Sequence, residues 1–96
     1  MYERHPVKEY ATAVGPDGQL IDVREPHEVA EGTLPGAINI PLGDLPSRLA
    51  EIDQGRRVVL LCRSGGRSGQ AAEFLMQSGY ADVVNLVGGM LGMAED

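Results

Sequence analysis

Short apolar runs alternate along this chain with apolar residues at helical spacing. The run Val58–Leu61 contains no polar residue, which is typical of a strand buried on both faces of a sheet. A short β-branched segment predicts another strand over residues 19–23, and an apolar segment closed by Pro41 predicts a strand near the sheet edge over 37–40. A further short strand is predicted over 81–86. We expect Val58–Leu61 to be the central strand.

Between these strands, apolar side chains recur every three or four residues, as on one face of a helix. Pro6 and Gly15 delimit the first such segment, and Gly79 ends the last one. The glycine-rich stretch over 87–96 predicts no definite element. The predicted helices are residues 6–14, one or two turns that start at Pro26 and end before Gly32, a segment that begins at Leu45 or Pro46 and ends before Gln54, and the stretch between the turn after Cys62 and Gly79.

This alternation, without two-residue hairpin turns, indicates right-handed βαβ crossovers. We therefore expect an α/β fold with a mainly parallel central sheet and helices on both faces. The 96 residues suffice for one small domain and are too few for two, so we expect a single domain over residues 1–96.

Composition and charge narrow the classes of partner. Hydrophobic residues make up 43% and charged residues 23%, as in an ordinary globular protein. The formal net charge of -6 argues against nucleic acid or an anionic membrane as a partner, since both need a basic surface. No apolar run approaches the roughly 20 residues that span a bilayer, and the amino terminus lacks the apolar segment of a signal peptide. We expect a cytoplasmic protein.

The only cysteine, Cys62, directly follows the predicted central strand. Ligand sites in open α/β sheets lie at the carboxyl ends of strands, and the loop after Cys62 leads into a helix whose first N–H groups attract an anion. The nucleophilic thiolate is favoured at such a place, and Arg63 and Arg67 are expected to lower the thiol pKa. Gly65 and Gly66 allow the backbone to adopt the positive φ angles of a tight loop. Cys62 is therefore the candidate nucleophile.

A single cysteine also limits the chemistry. It cannot form an internal disulfide or a CxxC pair, and with two distant histidines it cannot build the usual four-ligand zinc site. We expect no metal and no cofactor. A covalent intermediate on Cys62 would have to pass its group to an outside molecule, because the chain has no second cysteine to resolve it.

Four segments of the chain form an ordered set: Leu20-Ile-Asp-Val-Arg-Glu-Pro-His-Glu, Leu34-Pro-Gly-Ala-Ile-Asn-Ile-Pro, Cys62-Arg-Ser-Gly-Gly-Arg-Ser and Asn85-Leu-Val-Gly-Gly-Met. They resemble the signatures of the rhodanese domain family, in its single-domain sulfurtransferase form, and the resemblance covers nearly the whole chain. Two positions depart from the family pattern: Thr33 replaces a histidine found in many relatives, and the usual Ala-Trp is absent near Gly92.

The resemblance implies that Cys62 carries sulfane sulfur as a persulfide. The chain would then move sulfur from a small anionic donor, such as thiosulfate or a persulfide, to cyanide, a thiol or a protein thiol. Asp22 and Arg24 would support the loop, while Ser64 and Ser68 either donate hydroxyls to the anion or cap the helix. The residues expected to bind the anionic substrate are Arg63, Ser64, Gly65, Gly66, Arg67 and Ser68.

Two other classes of function remain open from the sequence. A cysteine-dependent phosphatase or arsenate reductase also places a cysteine and an arginine around an oxyanion. Cysteine phosphatases resemble one another in having five residues between them, whereas four separate Cys62 from Arg67, and arsenate reduction lacks a second cysteine. The second of these classes is a non-catalytic binding module with the same fold.

Overall fold

A five-stranded parallel sheet forms the centre of the computed structural model, which describes residues 1–94. The strand order is β1-β5-β4-β2-β3, and every neighbouring pair is parallel. This confirms the predicted α/β fold. The elements in chain order are β1 (Glu3–Pro6), α1 (Tyr10–Val14), β2 (Gln19–Asp22), α2 (Pro26–Val29), β3 (Ile38–Asn39), α3 (Leu45–Arg48), β4 (Val58–Leu61), α4 (Gly66–Gln77), β5 (Val83–Val87) and α5 (Gly89–Met93), with 3-10 turns at Val7–Glu9, Leu42–Asp44 and Leu49–Glu51.

The strand β4 lies in the middle of the sheet, as its apolar sequence predicts. All of its side chains are fully buried, and it pairs with β2 from Gln19 opposite Val58 and with β5 from Val83 opposite Val58. The short strand β3 lies at one edge, also as predicted, and pairs with β2 through two residues. The central position of β4 brings the residue that follows it, Cys62, to the middle of the carboxyl edge of the sheet.

Helices cover both faces of the sheet, as the sequence predicts, and each face has its own apolar core. One core joins the inner sides of α3 and α4 to β2, β4 and β5, through buried residues that include Leu45, Ala71, Leu75, Ile21, Leu60 and Val83. The other core joins α1, α5 and the turn before α1 to the opposite face, through Val7, Ala13, Leu20, Val59, Leu61, Val84 and Leu86, with Met90 and Met93 packed against them.

The structure contains two elements that the apolar pattern does not predict. The first is β1, which pairs with β5 from Glu3 opposite Val84, although three of its four residues are exposed. Its backbone hydrogen bonds, rather than apolar side chains, attach it to the sheet. The second is α5, which begins after Gly88 and lies in the stretch for which no definite element is expected. Glu95 and Asp96, the last two residues of that stretch, lie outside the described residues.

The remaining differences concern the ends of elements. The first predicted helix starts as a 3-10 turn at Val7, because Pro6 still belongs to β1. The predicted helix from Leu45 becomes α3 followed by another 3-10 turn. Within residues 1–94, the structure contains no helix with the length and apolar character needed to cross a membrane.

Candidate active site

The carboxyl ends of β2, β4 and β5 meet around Cys62. Its side chain is 1% exposed and lies at the start of the loop that leads into α4. The backbone N–H of Gly65 donates to Cys62 Sγ at 3.0 Å, and Ser68 Oγ lies 3.2 Å from the same sulfur. Gly65 has a φ of 109°, a conformation that L side chains rarely adopt, and this turn aims its N–H at the sulfur. The loop therefore encloses a single sulfur atom.

The environment of Cys62 favours its thiolate. Burial raises the pKa of the thiol, but the Ser68 hydroxyl, when it donates to the sulfur, and the backbone N–H groups of Ser68, Gly65 and Ser64 together lower the pKa below its ordinary value. The sequence predicts that the charges of Arg63 and Arg67 lower the pKa of Cys62, but these hydrogen bonds are the main cause of the lowering. Arg67 contributes at longer range, since its pKa is raised chiefly by Glu28 and to a smaller extent by the charge of Cys62.

Arg67 is held by a carboxylate from another element. Its guanidinium donates to both oxygens of Glu28 in α2, at 2.6 and 2.8 Å. The hydrogen bonds from Arg67, followed by one from the backbone of Glu25, lower the pKa of Glu28 to about 2. The pair is thus ionised at neutral pH. The sequence does not predict Glu28 as a site residue, and its charge offsets that of Arg67.

The other predicted loop residues occupy different positions. Arg63 and Ser64 are exposed at the mouth of the loop, and Gly66 is the exposed first residue of α4. Among the hydrogen bonds and ion pairs of residues 1–94, none involves the side chain of Arg63. The helix cap is Gly65, without a side-chain capping bond, so neither Ser64 nor Ser68 caps α4.

Asp22 and Arg24 form a buried ion pair beside the loop. They are 0% and 5% exposed, and Arg24 donates to both carboxylate oxygens of Asp22, with a shortest distance of 2.7 Å. Arg24 also donates to the carbonyl oxygens of Glu28 and Gly32, so it fixes the end of α2. The Thr33 hydroxyl donates to Asp22 at 2.7 Å. The pair therefore reaches the loop indirectly, by positioning the helix that carries Glu28.

Asn85 is a second site member that the sequence analysis does not single out. It lies in β5, is 5% exposed, and its Nδ2 donates to the Gly65 carbonyl at 3.2 Å. Its Oδ1 accepts the hydroxyl of Ser68. A polar residue between Val84 and Leu86, in a strand buried along most of its length, is the signal that could have identified it.

The short helix α5 supports the other side of the loop. The N–H of Met90 donates to the Cys62 carbonyl at 2.9 Å, and the N–H of Leu91 donates to the Arg63 carbonyl at 3.0 Å. Gly89 has a φ of 55° and lies against the backbone of these same two residues. The start of the loop is therefore fixed by the N-terminal turn of α5.

Two open clefts border the loop. One, of about 440 Å³, is bordered by Ser64, Gly65 and Gly66 on one side and by Tyr2 and Arg4 of the amino-terminal segment on another. The second, of about 260 Å³, lies between Arg63, the end of α2 and α5. Both clefts adjoin the exposed part of the loop, where a substrate can approach.

Comparison with known proteins agrees with this architecture. The model of the rhodanese-like domain family matches residues 7–96. A sulfurtransferase of Allochromatium vinosum is 47% identical over 78 residues, which cover 81% of this chain and 73% of that protein. The thiosulfate sulfurtransferase PspE of Escherichia coli is 41% identical over 76 residues, covering 77% and 72% of the two chains.

A solved structure shows the same fold over nearly the whole chain. The rhodanese-like domain protein of Staphylococcus aureus superposes with a TM-score of 0.86 at 29% identity, covering 98% of this chain and 93% of that one. The match of the family model, the similar sulfurtransferases and the common fold lead to one conclusion. The chain belongs to the rhodanese-like domain family and is similar to its single-domain sulfurtransferases.

Proposed function

We propose that this rhodanese-type domain transfers sulfane sulfur through a persulfide on Cys62. The observation that carries the proposal is the enclosure of one sulfur atom by the Gly65 N–H at 3.0 Å and by the Ser68 hydroxyl at 3.2 Å. The same contacts lower the pKa of the thiol despite its burial, which favours the nucleophilic form. The sulfurtransferases among the relatives support this assignment.

In the first half-reaction, the Cys62 thiolate attacks the outer sulfur of an anionic donor such as thiosulfate. A bond forms between Sγ and that sulfur, the donor S–S bond breaks, and sulfite leaves with the bonding electron pair. In the second half-reaction, an acceptor thiolate or cyanide attacks the outer sulfur of the persulfide, and Sγ leaves as a thiolate. An external acceptor is required because the chain has a single cysteine.

Loop N–H groups and the Ser68 hydroxyl would stabilise the negative sulfur in both half-reactions, as oxyanion-hole donors stabilise oxygen. Ser64 and Gly66, at the open end of the loop, would contact the incoming anion. Arg67 is already paired with Glu28, whose carboxylate offsets its charge, so Arg67 attracts an incoming anion less strongly. We therefore assign recognition of the donor chiefly to Arg63, the exposed arginine next to Cys62.

Replacing Arg63 by alanine is expected to raise the KM for thiosulfate about 10-fold, with a smaller change in kcat, because a hydrogen-bonded ion pair to the sulfonate is lost. Steady-state kinetics at fixed ionic strength measure this effect. Arg56→Ala is the matched control, because it removes the same charge from an exposed position just before β4, at the opposite end of that strand. An equal rise in KM for both variants would show that only net charge matters.

Intact mass spectrometry tests the persulfide itself. After incubation with thiosulfate and removal of the donor, the protein is expected to gain about 32 Da, the mass of one sulfur atom, and to lose it again when cyanide is added. Cys62→Ser, which keeps the size of the side chain, is expected to gain no mass.

The opposite result would favour the phosphatase alternative. If the wild-type protein gained no sulfur from thiosulfate or from any persulfide donor, and instead hydrolysed an aryl phosphate in a reaction that needs Cys62, the proposed function would be wrong. Absence of both activities would leave the binding module as the better description.

A further inference from the structure

The buried side chains of Asn85 in β5, Ser68 and Cys62 form a chain of hydrogen bonds that ends at the sulfur of Cys62. Ser68 Oγ lies 3.2 Å from Cys62 Sγ and donates to Asn85 Oδ1, and Asn85 Nδ2 donates to the Gly65 carbonyl at 3.2 Å. Cys62, Ser68 and Asn85 are 1%, 0% and 5% exposed. Solvent has little access to these atoms, so their donors and acceptors depend on one another.

The Gly65 carbonyl, at the end of this chain of hydrogen bonds, determines which atom donates in each of them. A carbonyl oxygen only accepts, so the Gly65 carbonyl requires the Asn85 amide to present Nδ2 to it and Oδ1 to Ser68. Because Oδ1 also only accepts, the Ser68 hydroxyl proton points at Asn85. A serine has one such proton. While Asn85 holds it, Ser68 Oγ can only accept from Cys62, which requires the neutral thiol.

Ionisation of Cys62 reverses this arrangement. Once the thiol proton has left for solvent, Sγ becomes an acceptor, and Ser68 can stabilise it only by turning its hydroxyl away from Asn85. Asn85 Oδ1, the side-chain amide oxygen, then loses its donor in a buried position, which is unfavourable. The sulfur of Cys62 and the amide oxygen of Asn85 thus compete for the single hydroxyl proton of Ser68.

We propose that Asn85 is a positioning residue that competes with the Cys62 sulfur for the hydroxyl proton of Ser68. The proposal rests on the proposed function, since it concerns the nucleophile of that reaction. Asn85 thus keeps the thiolate fraction of the empty site below the level that the loop N–H groups and a freely donating Ser68 would give, and the thiol resists oxidation better than the thiolate. The loop and the amide together then set how much thiolate is present.

Charged groups near the site do not change when Asn85 is replaced. β5 and α5 contain no titratable residue. The segments packed around Cys62, Ser68 and Asn85 have the following titratable and charged residues: Tyr2, Glu3, Arg4 and His5 in and before β1, Asp22 at the end of β2 and Arg24 after it, His27 and Glu28 in α2, Asp44 before α3, and Arg63, Arg67 and Glu73 in the loop and in α4.

Titration of the thiolate by its ultraviolet absorbance tests the proposal. The absorbance of Cys62→Ser, which keeps the tyrosines but has no thiol, is subtracted at each pH. Asn85→Leu keeps the branched shape of the side chain without its polar atoms. It is expected to lower the titration midpoint by about one pH unit, because Ser68 then donates freely to the sulfur. Ser68→Ala is expected to raise the midpoint, since the thiolate loses a donor. In the Ser68→Ala background, Asn85→Leu is expected to cause no shift.

Two results would overturn the proposal. One is a shift of equal size in both backgrounds, which would mean that Asn85 acts through the Gly65 carbonyl. The other is an unchanged or raised midpoint when Asn85→Leu is made in the presence of Ser68. If Asn85→Leu does not fold, Asn85→Ala takes its place in the same comparison. The titration needs no sulfur donor, so its outcome is separate from that of the mass measurement.

Discussion

Replacing Gly89 by alanine is expected to slow sulfur transfer about 100-fold, the loss typical of displacing a reacting group by about 1 Å. A Cβ at this position would lie 2.5 Å from the carbonyl carbon of Arg63 and would overlap the carbonyl oxygen of Cys62. Both contacts are with backbone, which cannot rotate away as a side chain can. Either the loop or α5 has to move. If the loop moves, the N–H of Gly65 no longer points at the sulfur; if α5 moves, the loop loses the hydrogen bonds from Met90 and Leu91.

The cost of the positive φ angle alone can be measured elsewhere in the chain. Gly36 has a φ of 84°, and a Cβ there would have no atom within 4 Å. Gly36→Ala is expected to cost about 1–2 kcal/mol of stability and to leave sulfur transfer unchanged. Gly89→Ala should lose more stability than this in urea unfolding. Similar transfer rates for the two variants would show that the contact of Gly89 with the loop is unimportant.

Replacing Asp22 by alanine is expected to lower the free energy of unfolding by about 3–5 kcal/mol, a large part of the roughly 5–15 kcal/mol typical of a domain. The substitution leaves the guanidinium of Arg24, which is 5% exposed, without its carboxylate. It also leaves Thr33 without its acceptor. Urea unfolding followed by circular dichroism measures the loss.

An exposed ion pair of similar geometry provides the control. Arg48 donates to both oxygens of Glu51 at 2.7 and 2.8 Å, but both side chains face solvent. Glu51→Ala is expected to change stability little, because water replaces the lost partner. If Asp22→Ala were no more damaging than Glu51→Ala, the buried pair would not have the structural role assigned to it here.

The central part of the site could be predicted because its information is local. Cys62 follows an apolar strand, and the glycines and the helix after it lie within a few positions of it in the chain. The structure places this segment where the pattern predicts, with β4 buried and α4 beginning at Gly66. Its catalytic role remains a prediction that the mass measurement tests.

Partners that are distant in the chain could not be predicted in the same way. Glu28 and Arg67 are 39 positions apart, and Asn85 lies 17 positions after Ser68, so only the packing of the helices and the sheet in the folded chain brings them together. Glu28 also has a local role, because it completes a capping box with Glu25 at the start of α2. A charged residue that satisfies a local pattern gives no sign of a second, distant contact.

The strand β1 cannot be predicted from the sequence for a different physical reason. Its sequence, Glu3-Arg4-His5-Pro6, lacks the apolar residues from which strands are predicted, because its side chains lie mostly in solvent. The family model also begins after it, at residue 7. Its place in the sheet depends on pairing with β5, which the amino acid pattern of β1 alone does not show.

The strand order also bears on how the folded protein avoids aggregation. β4 and β5 are uncharged and rich in valine and leucine, the kind of segment that stacks into intermolecular cross-β structure when it is exposed. Both lie inside the sheet, whose two edges discourage the addition of a strand from another molecule. One edge has the charges of β1 and its Pro6, and the other pairs through only two residues of β3. Association of β4 and β5 between molecules would therefore first require an edge strand to detach.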